Sequence, residues 1–256
     1  MHAQAILNIK NLTKSFGGVK AVDNIIMSIH ENEMAGLIGP NGAGKTTIFN
    51  LITGIYVPDN GRIFLEDRDI TGVKPHKITG LGISRTFQTI RLFKNLTALE
   101  NVMSGAHNYS YSGLITSILR TRNQKKEEKM ILNEAYKWLD FMNLADKSNE
   151  LAKNLPYGIQ RKLEIARALA ARPKLLILDE PAAGLNETES NEIIKVFHKI
   201  REKGITILLI EHDMKVVMGS CSRIFVLDFG SLIAEGTPEE IQKNDKVIEA
   251  YLGQEI

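Results

Sequence analysis

The chain has 256 residues, of which 43% are hydrophobic and 24% are charged, and its formal net charge is +2. A chain of this length and composition can bury a large core, as one large domain or as two closely joined ones. So small a net charge gives no field strong enough to make DNA or RNA the main ligand, and we expect no nucleic acid partner. The single cysteine, Cys221, excludes an intrachain disulfide and favours a packing role.

The N-terminal residues lack the basic start and the apolar run of a secretory signal peptide. No later stretch approaches the about 18 uninterrupted apolar residues of a membrane-spanning helix. We therefore predict a protein that stays in the cytosol.

The first part of the chain shows a two-residue hydrophobic period. Apolar residues alternate with polar ones at residues 7–9 and again at 25–29, and residues 62–66 show a similar strand pattern. Alternation of this kind is typical of half-exposed strands. We predict that these segments form an N-terminal antiparallel sheet.

The most specific pattern follows an apolar run at residues 34–38. It matches the phosphate-binding loop G-x-x-x-x-G-K-[ST] at every position, with Gly39, Pro40, Asn41, Gly42, Ala43, Gly44, Lys45 and Thr46. Residues 47–52 then place apolar side chains at helical spacing before Gly54. A strand before the loop and a helix after it form the context in which this motif is specific.

The motif predicts a nucleotide site. Its glycines let the backbone wrap closely round a phosphate chain, and its N–H groups and helix start face negative charge. Lys45 adds a charge for the outer phosphates, and the Thr46 hydroxyl is placed to bind Mg²⁺. We count the next residue, Thr47, among the nucleotide-binding residues.

Between about residues 90 and 165 the strand signals fade, while residues 127–139 and 160–171 show a helical pattern. We predict an inserted helical subdomain at 90–165. The segments 1–89 and 166–256 then form the rest of a single 256-residue domain.

The C-terminal part alternates buried strands with helices. Residues 175–178 and 205–210 are continuous apolar runs, typical of parallel strands covered on both faces. Capping boxes predict helices after Asn186 and after Thr237, and the first of these helices should end at Gly204. Residues 223–235 read as a hairpin.

Two successive carboxylates, Asp179 and Glu180, follow the apolar run at 175–178. The carboxyl end of a strand is where ligands bind in open α/β sheets. We assign Asp179 to the Mg²⁺ shell and Glu180 to the orientation and deprotonation of an attacking water. A glutamate directly after the metal-binding aspartate favours hydrolysis over phosphate transfer to an acceptor.

With these two motifs, the sequence resembles the nucleotide-binding subunit of ABC transporters. The resemblance implies an α/β fold: a P-loop NTPase (RecA-like) core with an N-terminal antiparallel β subdomain and an inserted helical subdomain. It implies ATP and Mg²⁺ as ligands. It also implies that Gln88 senses Mg²⁺ and the γ-phosphate, that His212 contacts the γ-phosphate, and that Phe16 stacks on adenine. Lys45, Glu180 and His212 are then the catalytic residues.

The family signature, usually L-S-G-G-Q, departs from its common form here. It reads Leu155, Pro156, Tyr157, Gly158 and Ile159, with Gln160 following in register. Pro156 replaces the serine whose hydroxyl would meet the γ-phosphate of ATP on the other subunit. Proline is tolerated at the first helical position, so the N–H groups of Tyr157 and Gly158 can still face that phosphate.

The D-loop also departs from the family pattern, since Asn186 replaces the usual aspartate. An asymmetric pair of non-identical ATPases would accommodate both changes. The resemblance therefore implies a second ATPase subunit, two integral membrane permease subunits, a substrate-binding protein acting indirectly, and a place on the cytoplasmic face of the inner membrane.

Residues 85–93 and 210–214 look like the ATPase components of branched-chain amino acid importers. Three other readings stay open at this point. They are a small-molecule kinase with a phosphate loop, a soluble ABC protein of translation or DNA repair, and the ATPase of an exporter such as a lipopolysaccharide-moving machine.

Overall fold

The computed structural model describes residues 4–106 and 122–252 and divides the chain into two compact units. Unit 1 comprises Met1–Ile83 and Lys174–Ile256, and unit 2 comprises Ser84–Pro173. Unit 2 is longer than the predicted subdomain at 90–165. The predicted limit at residue 165 would cut through a helix that runs from Tyr157 to Ala170, and the whole helix belongs to unit 2.

Most strands of the described residues lie in unit 1. The strands are β1 (Ala5–Phe16), β2 (Val19–His30), β3 (Met34–Ile38), β4 (Asn60–Leu65), β5 (Arg68–Asp69), β6 (Ile83–Arg85), β7 (Leu175–Asp179), β8 (Thr206–Ile210), β9 (Arg223–Asp228) and β10 (Ser231–Gly236). The helices are α1 (Lys45–Ile52), α2 (Pro75–Leu81), α3 (Ala98–Ala106), α4 (Arg122–Phe141), α5 (Tyr157–Ala170), α6 (Glu187–Glu202), α7 (Met214–Ser220), α8 (Pro238–Gln242) and α9 (Asp245–Leu252).

The N-terminal sheet is antiparallel and has the strand order β2-β1-β4-β5. Leu7 and Ile9 of β1 are fully buried, as is Ile29 of β2, whereas Lys10 is exposed. The predicted two-residue period is therefore confirmed, because one face of this sheet packs on the core and the other meets solvent.

The second sheet has six strands in the order β10-β9-β3-β8-β7-β6. Strands β9, β3, β8 and β7 pair in parallel, and β10 adds an antiparallel edge through the predicted hairpin. Every residue of β3 and β8 is buried, which explains their continuous apolar sequence. The phosphate loop directly follows β3, Glu180 directly follows β7, and His212 is the second residue after β8.

Unit 2 is built mainly of helices, and its two predicted helices correspond to α4 and α5. Its core includes Val102, Trp138, Leu139 and Leu163, each of which is buried. Residues 107–121 lie outside the described part of the chain. Within residues 4–106 and 122–252, no helix combines the length and the apolar character needed to cross a membrane.

The predicted capping box at the start of α6 is present. Asn186 Oδ1 accepts the Glu189 N–H at 3.0 Å, and Glu189 Oε2 accepts the Asn186 N–H at 3.0 Å. Thr237 and Glu240 form the same reciprocal pair at α8, and Gly204 follows the last turn of α6 with a φ of 81°. These helix limits arise from local hydrogen bonding, which explains why the sequence predicts them well.

We expect Asn186→Ala to lower the free energy of unfolding by about 1 kcal/mol, because the first turn of α6 loses its side-chain acceptor. Asn186→Asp is the matched control, since a carboxylate can accept the same N–H. Urea denaturation without nucleotide measures both variants. Equal shifts of the two midpoints would contradict the capping role.

Candidate functional site

The phosphate loop has a backbone that only glycine can adopt at two positions. Gly39 has a φ of 148°, and a Cβ there would lie 2.1 Å from the Leu227 carbonyl oxygen. Gly44 has a φ of 103°, and its Cβ would lie 2.3 Å from the Ala21 carbonyl oxygen. The motif needs its first and last glycines because two neighbouring strands touch the loop backbone at these points.

Main-chain hydrogen bonds fix the middle of the loop. The Gly230 N–H, in the turn between β9 and β10, donates to the Ala43 carbonyl at 3.0 Å. The Asp23 N–H of β2 donates to the Gly230 carbonyl at 2.8 Å. The loop is thus tied to both sheets of unit 1 and is ordered by the protein itself.

Lys45 lies at the start of α1 and its side chain folds over the loop. Its Nζ donates to the carbonyl oxygens of Gly39 at 2.5 Å and Pro40 at 2.8 Å. Burial lowers the pKa of Lys45, while the negative charges of Glu180 and Asp179 raise it. The positive charge of Lys45 therefore interacts with the negative charges of both carboxylates.

Thr46 and Thr47 belong to the same first turn of α1. The Thr46 side chain is exposed at the mouth of the loop, whereas Ala43 is buried below it. N–H groups in the first turn of a helix have no intrahelical acceptor. This turn therefore offers N–H donors and a hydroxyl at one place.

Asp179 ends β7, and Glu180 follows in a left-handed conformation with a φ of 45°. The Glu180 N–H donates to the Ile210 carbonyl of β8 at 2.8 Å. A non-glycine residue with positive φ costs on the order of 1–3 kcal/mol, and such strain is concentrated at functional sites. The sheet thus holds the Glu180 backbone in an unfavourable but fixed geometry.

His212 lies close to the predicted general base. Its Nδ1 atom is 3.6 Å from a Glu180 carboxylate oxygen, and its side chain is 61% exposed. The structure therefore brings four residues together at the carboxyl edge of the sheet, as the motif argument predicts. They are Lys45, Asp179, Glu180 and His212.

Phe16 ends β1 and presents an aromatic surface to solvent. The residue is 43% exposed, and its ring packs edge-on against Tyr56, with centroids 5.2 Å apart. Lys14 Nζ lies 5.5 Å from the Phe16 centroid. An exposed, supported ring of this kind can stack on a planar base.

The signature segment lies in unit 2, at the start of α5. The sequence predicts Pro156 as the first helical residue, but it is the N-cap, with φ −55° and ψ 153°, and the helix begins one position later at Tyr157. Its carbonyl accepts the Gln160 N–H at 2.9 Å, and the Gln160 side chain donates to the Leu155 carbonyl at 2.8 Å. The first helical N–H groups are those of Tyr157 and Gly158.

A proline N-cap has no side-chain oxygen, and the start of α5 has no side-chain cap hydrogen bond. The start of α5 can therefore still face an anion, although the helix begins one residue later than predicted.

Gln88, also in unit 2, is exposed.

Comparison with known proteins decides the family. Residues 22–183 match the family described as ABC transporter. The chain belongs to the ABC transporter family. Residues 231–256 also match a C-terminal family described as Branched-chain amino acid ATP-binding cassette transporter.

Relatives of this ABC ATPase match it along nearly its whole length. It is 45% identical to the high-affinity branched-chain amino acid transport ATP-binding protein LivG of Salmonella typhimurium, over 98% of this chain and 99% of that protein. A crystal structure of an ATP-binding cassette in its ADP conformation is 35% identical, with a TM-score of 0.86, over 98% of this chain and 100% of the other.

A dimeric cassette in a post-hydrolysis state, bound to ADP and phosphate, is 26% identical with a TM-score of 0.75, over 91% of this chain and 98% of that one. Together these findings confirm the predicted fold class and the resemblance to ATPases of branched-chain amino acid importers. The chain is an ATP-binding subunit that couples ATP hydrolysis to transport.

Unit 2 also contains a fully buried ion pair, between Arg161 and Glu164, that the sequence analysis did not predict. Arg161 of α5 donates to Glu164 at 3.1 Å and to the carbonyl oxygens of Phe87 and Gln88, each at 2.8 Å. Glu164 accepts the Arg91 N–H at 3.1 Å. The sequence offers one signal, an opposite-charge pair three residues apart within the predicted helix at 160–171, but it gives no indication of the main-chain partners of Arg161.

A second buried carboxylate is Glu211, directly before His212, to which the sequence analysis assigns no role. Its side chain is completely buried, which raises its pKa, while hydrogen bonds from the N–H groups of Ala182, Asp213 and His212 lower it. The sequence signal is a glutamate that directly follows the four apolar residues 207–210 of strand β8.

Proposed function

We propose that this chain powers the import of branched-chain amino acids by hydrolysing ATP on the cytoplasmic face of the inner membrane. It would work with a second, non-identical ATP-binding subunit and two integral membrane permease subunits, and a substrate-binding protein would deliver the solute. The observation that carries the proposal is full-length similarity to LivG together with the C-terminal match at residues 231–256.

ATP fits the phosphate loop through its polyphosphate chain. The N–H groups from Gly42 to Thr47 would bind phosphate oxygens, and Lys45 would reach the outer phosphates. Phe16 would stack on the adenine. Asn41 and Pro40 would shape the mouth of the loop.

The oxygen donors of this site suit Mg²⁺. The described residues contain no cluster of three or more His, Cys, Asp or Glu side chains, so a dedicated protein cage is absent from that part of the chain. Mg²⁺ typically binds one or two carboxylates together with phosphates and water. The Thr46 hydroxyl and the Asp179 carboxylate would hold it, and bound Mg²⁺ would neutralise charge on the phosphate oxygens.

Hydrolysis would use Glu180 as the general base. Its carboxylate would orient a water molecule toward the γ-phosphate and accept the proton as the new P–O bond forms. His212, 3.6 Å from that carboxylate, would contact the γ-phosphate and help to fix the base. Lys45 would stabilise negative charge on the departing ADP oxygen.

Pro156 in the signature and Asn186 in the D-loop depart from the family pattern, and both would affect how this chain pairs with a second ATPase subunit. Pro156 offers no hydroxyl, so the signature of this chain would hold the partner's ATP through the Tyr157 and Gly158 N–H groups. Leu155 and Gln160 would support that turn through their mutual hydrogen bond. Asn186 brings an amide where a carboxylate is usual, and an unlike partner would supply the regular motifs.

Co-purification from the native membrane, followed by uptake of labelled leucine in a deletion strain, tests the proposal. Two permease subunits and an unlike ATPase should co-purify, and uptake should be lost. Normal uptake without a redundant carrier would contradict the amino acid assignment and favour an exporter. The absence of any membrane protein from the purified complex would favour a soluble ABC protein.

We expect Lys45→Ala to weaken ATP binding by about 10- to 150-fold, because charge-assisted hydrogen bonds contribute about 1.5–3 kcal/mol. Calorimetric titration with ATP measures the change. Lys215→Ala is the control, since Lys215 forms an exposed ion pair with Glu187. Unchanged ATP affinity in Lys45→Ala would contradict the role of the loop.

A further inference from the structure

The Glu211 carboxylate is buried at the point where β8 ends. The residue is 0% exposed, and the strand before it is entirely buried. A buried carboxylate is costly unless hydrogen bonds compensate for its lost hydration. The groups that donate hydrogen bonds to Glu211 therefore show which segments its side chain connects.

Three main-chain N–H groups from two different loops supply that compensation. Oε1 accepts the Ala182 N–H at 2.8 Å. Oε2 accepts the N–H groups of His212 at 3.1 Å and Asp213 at 3.3 Å. Ala182 lies two residues after Glu180, so each carboxylate oxygen binds a loop that carries one member of the Glu180 and His212 pair.

The end of the sheet holds Glu180 as well, because the Glu180 N–H donates to the carbonyl of Ile210, the last residue of β8, at 2.8 Å. The Glu180 backbone is in the left-handed region, and this conformation persists only where the surroundings enforce it. The Ala183 N–H closes the turn on the Glu180 carbonyl at 3.2 Å. The Glu211 side chain binds this turn at its middle, through the Ala182 N–H.

We propose that Glu211 is a positioning residue that sets the separation between the Glu180 turn and the His212 loop. This inference rests on the proposed function. It assigns the geometry of the Glu180 and His212 pair to a fully buried side chain outside the predicted ATP-binding residues. Misplacement of reacting groups by about 1 Å can cost on the order of 100-fold in rate.

A carboxylate suits this role better than an amide does. A carboxylate has two acceptor oxygens, whereas a glutamine side chain has one oxygen and an NH₂ group that donates. In Glu211→Gln the amide oxygen can face the Ala182 loop or the His212 loop, and the NH₂ group then opposes the N–H of the other. The substitution keeps the volume of the side chain and breaks one of its two attachments.

Steady-state ATPase kinetics of the full chain test this inference. We expect Glu211→Gln to lower kcat by about 10- to 100-fold while KM for ATP changes by less than about threefold. Glu33→Gln is the matched control, because Glu33 is a largely buried carboxylate of unit 1 that binds Arg223. It should lower the urea midpoint without lowering kcat.

A double-variant cycle with His212→Ala separates positioning from a merely structural role. If Glu211 acts through the His212 loop, the kcat of the double variant should nearly equal that of His212→Ala alone. If Glu211→Gln does not fold, Glu211→Asp, which keeps both acceptor oxygens, enters the same cycle.

Independent, multiplying effects would overturn the inference, and so would a Glu211→Gln kcat within about twofold of wild type. A wild-type chain that fails to hydrolyse ATP, alone or with its co-purified partners, would instead contradict the proposed function.

Discussion

Replacing Glu180 by glutamine should abolish ATP turnover and leave ATP binding intact. The amide has nearly the shape of the carboxylate but cannot accept the proton of the attacking water. Positioned proton transfer contributes about 10²–10⁴ in rate, or roughly 3–5 kcal/mol of barrier. The phosphate loop, Lys45 and Phe16 are unchanged in this variant, so the affinity for ATP should stay near that of wild type.

Phosphate release under single-turnover conditions and ATP titration measure the two quantities separately. Glu187→Gln is the matched control, because Glu187 lies on the same loop-to-helix segment but its side chain is 79% exposed. It should hydrolyse ATP at the wild-type rate. Hydrolysis by Glu180→Gln within tenfold of wild type would remove Glu180 from the role of general base.

The features predicted correctly from the sequence are those that depend on local chemistry. The phosphate loop, the apolar strands and the capping boxes each arise from residues close together in the chain, and the structure places them as expected. The Pro156 position was wrong by one residue, because φ near −60° suits both an N-cap and the first helical position, and ψ decides between them.

The missed residues depend on partners far away in the chain. Glu211 accepts an N–H 29 residues before it, and Arg161 donates to a carbonyl 74 residues before it. No hydrophobic period or motif spacing reports such contacts, since they form only when the sheet and the helical unit have folded. A charged residue beside a fully apolar segment was the one available signal for Glu211, and it does not name the donor.

Replacing Arg161 by alanine should lower the stability of unit 2 by about 3–5 kcal/mol. The substitution removes the closer of two ion-pair partners of buried Glu164, since Arg161 lies 3.1 Å and Arg167 3.8 Å from its carboxylate oxygens. Removal of one member of a buried pair typically has a cost of this size. Burial already raises the pKa of Glu164, and the positive charge of Arg161 opposes that rise. The variant should therefore take up a proton at Glu164, and its loss of stability should be largest at high pH.

The sign of this pH dependence follows from linkage. Without Arg161, the folded-state pKa of Glu164 rises further above its unfolded value, so folding is favoured by protonation and is penalised as the pH increases through that pKa. Urea denaturation of wild type and variant at several pH values measures the difference. Arg172→Ala is the control, because Arg172 is 51% exposed where it pairs with Glu134, and exposed pairs contribute at most about 1 kcal/mol.

Arg161 also donates to the carbonyl oxygens of Phe87 and Gln88, so its role in stability can be separated from its role in holding this loop. The double variant Arg161→Met with Glu164→Leu removes both buried charges, and it should recover part of the lost stability because apolar replacement of a buried pair is often neutral. It restores no donor for either carbonyl. We therefore expect its ATPase rate to stay low although its urea midpoint rises, and a return of both together would show that Arg161 contributes to stability alone.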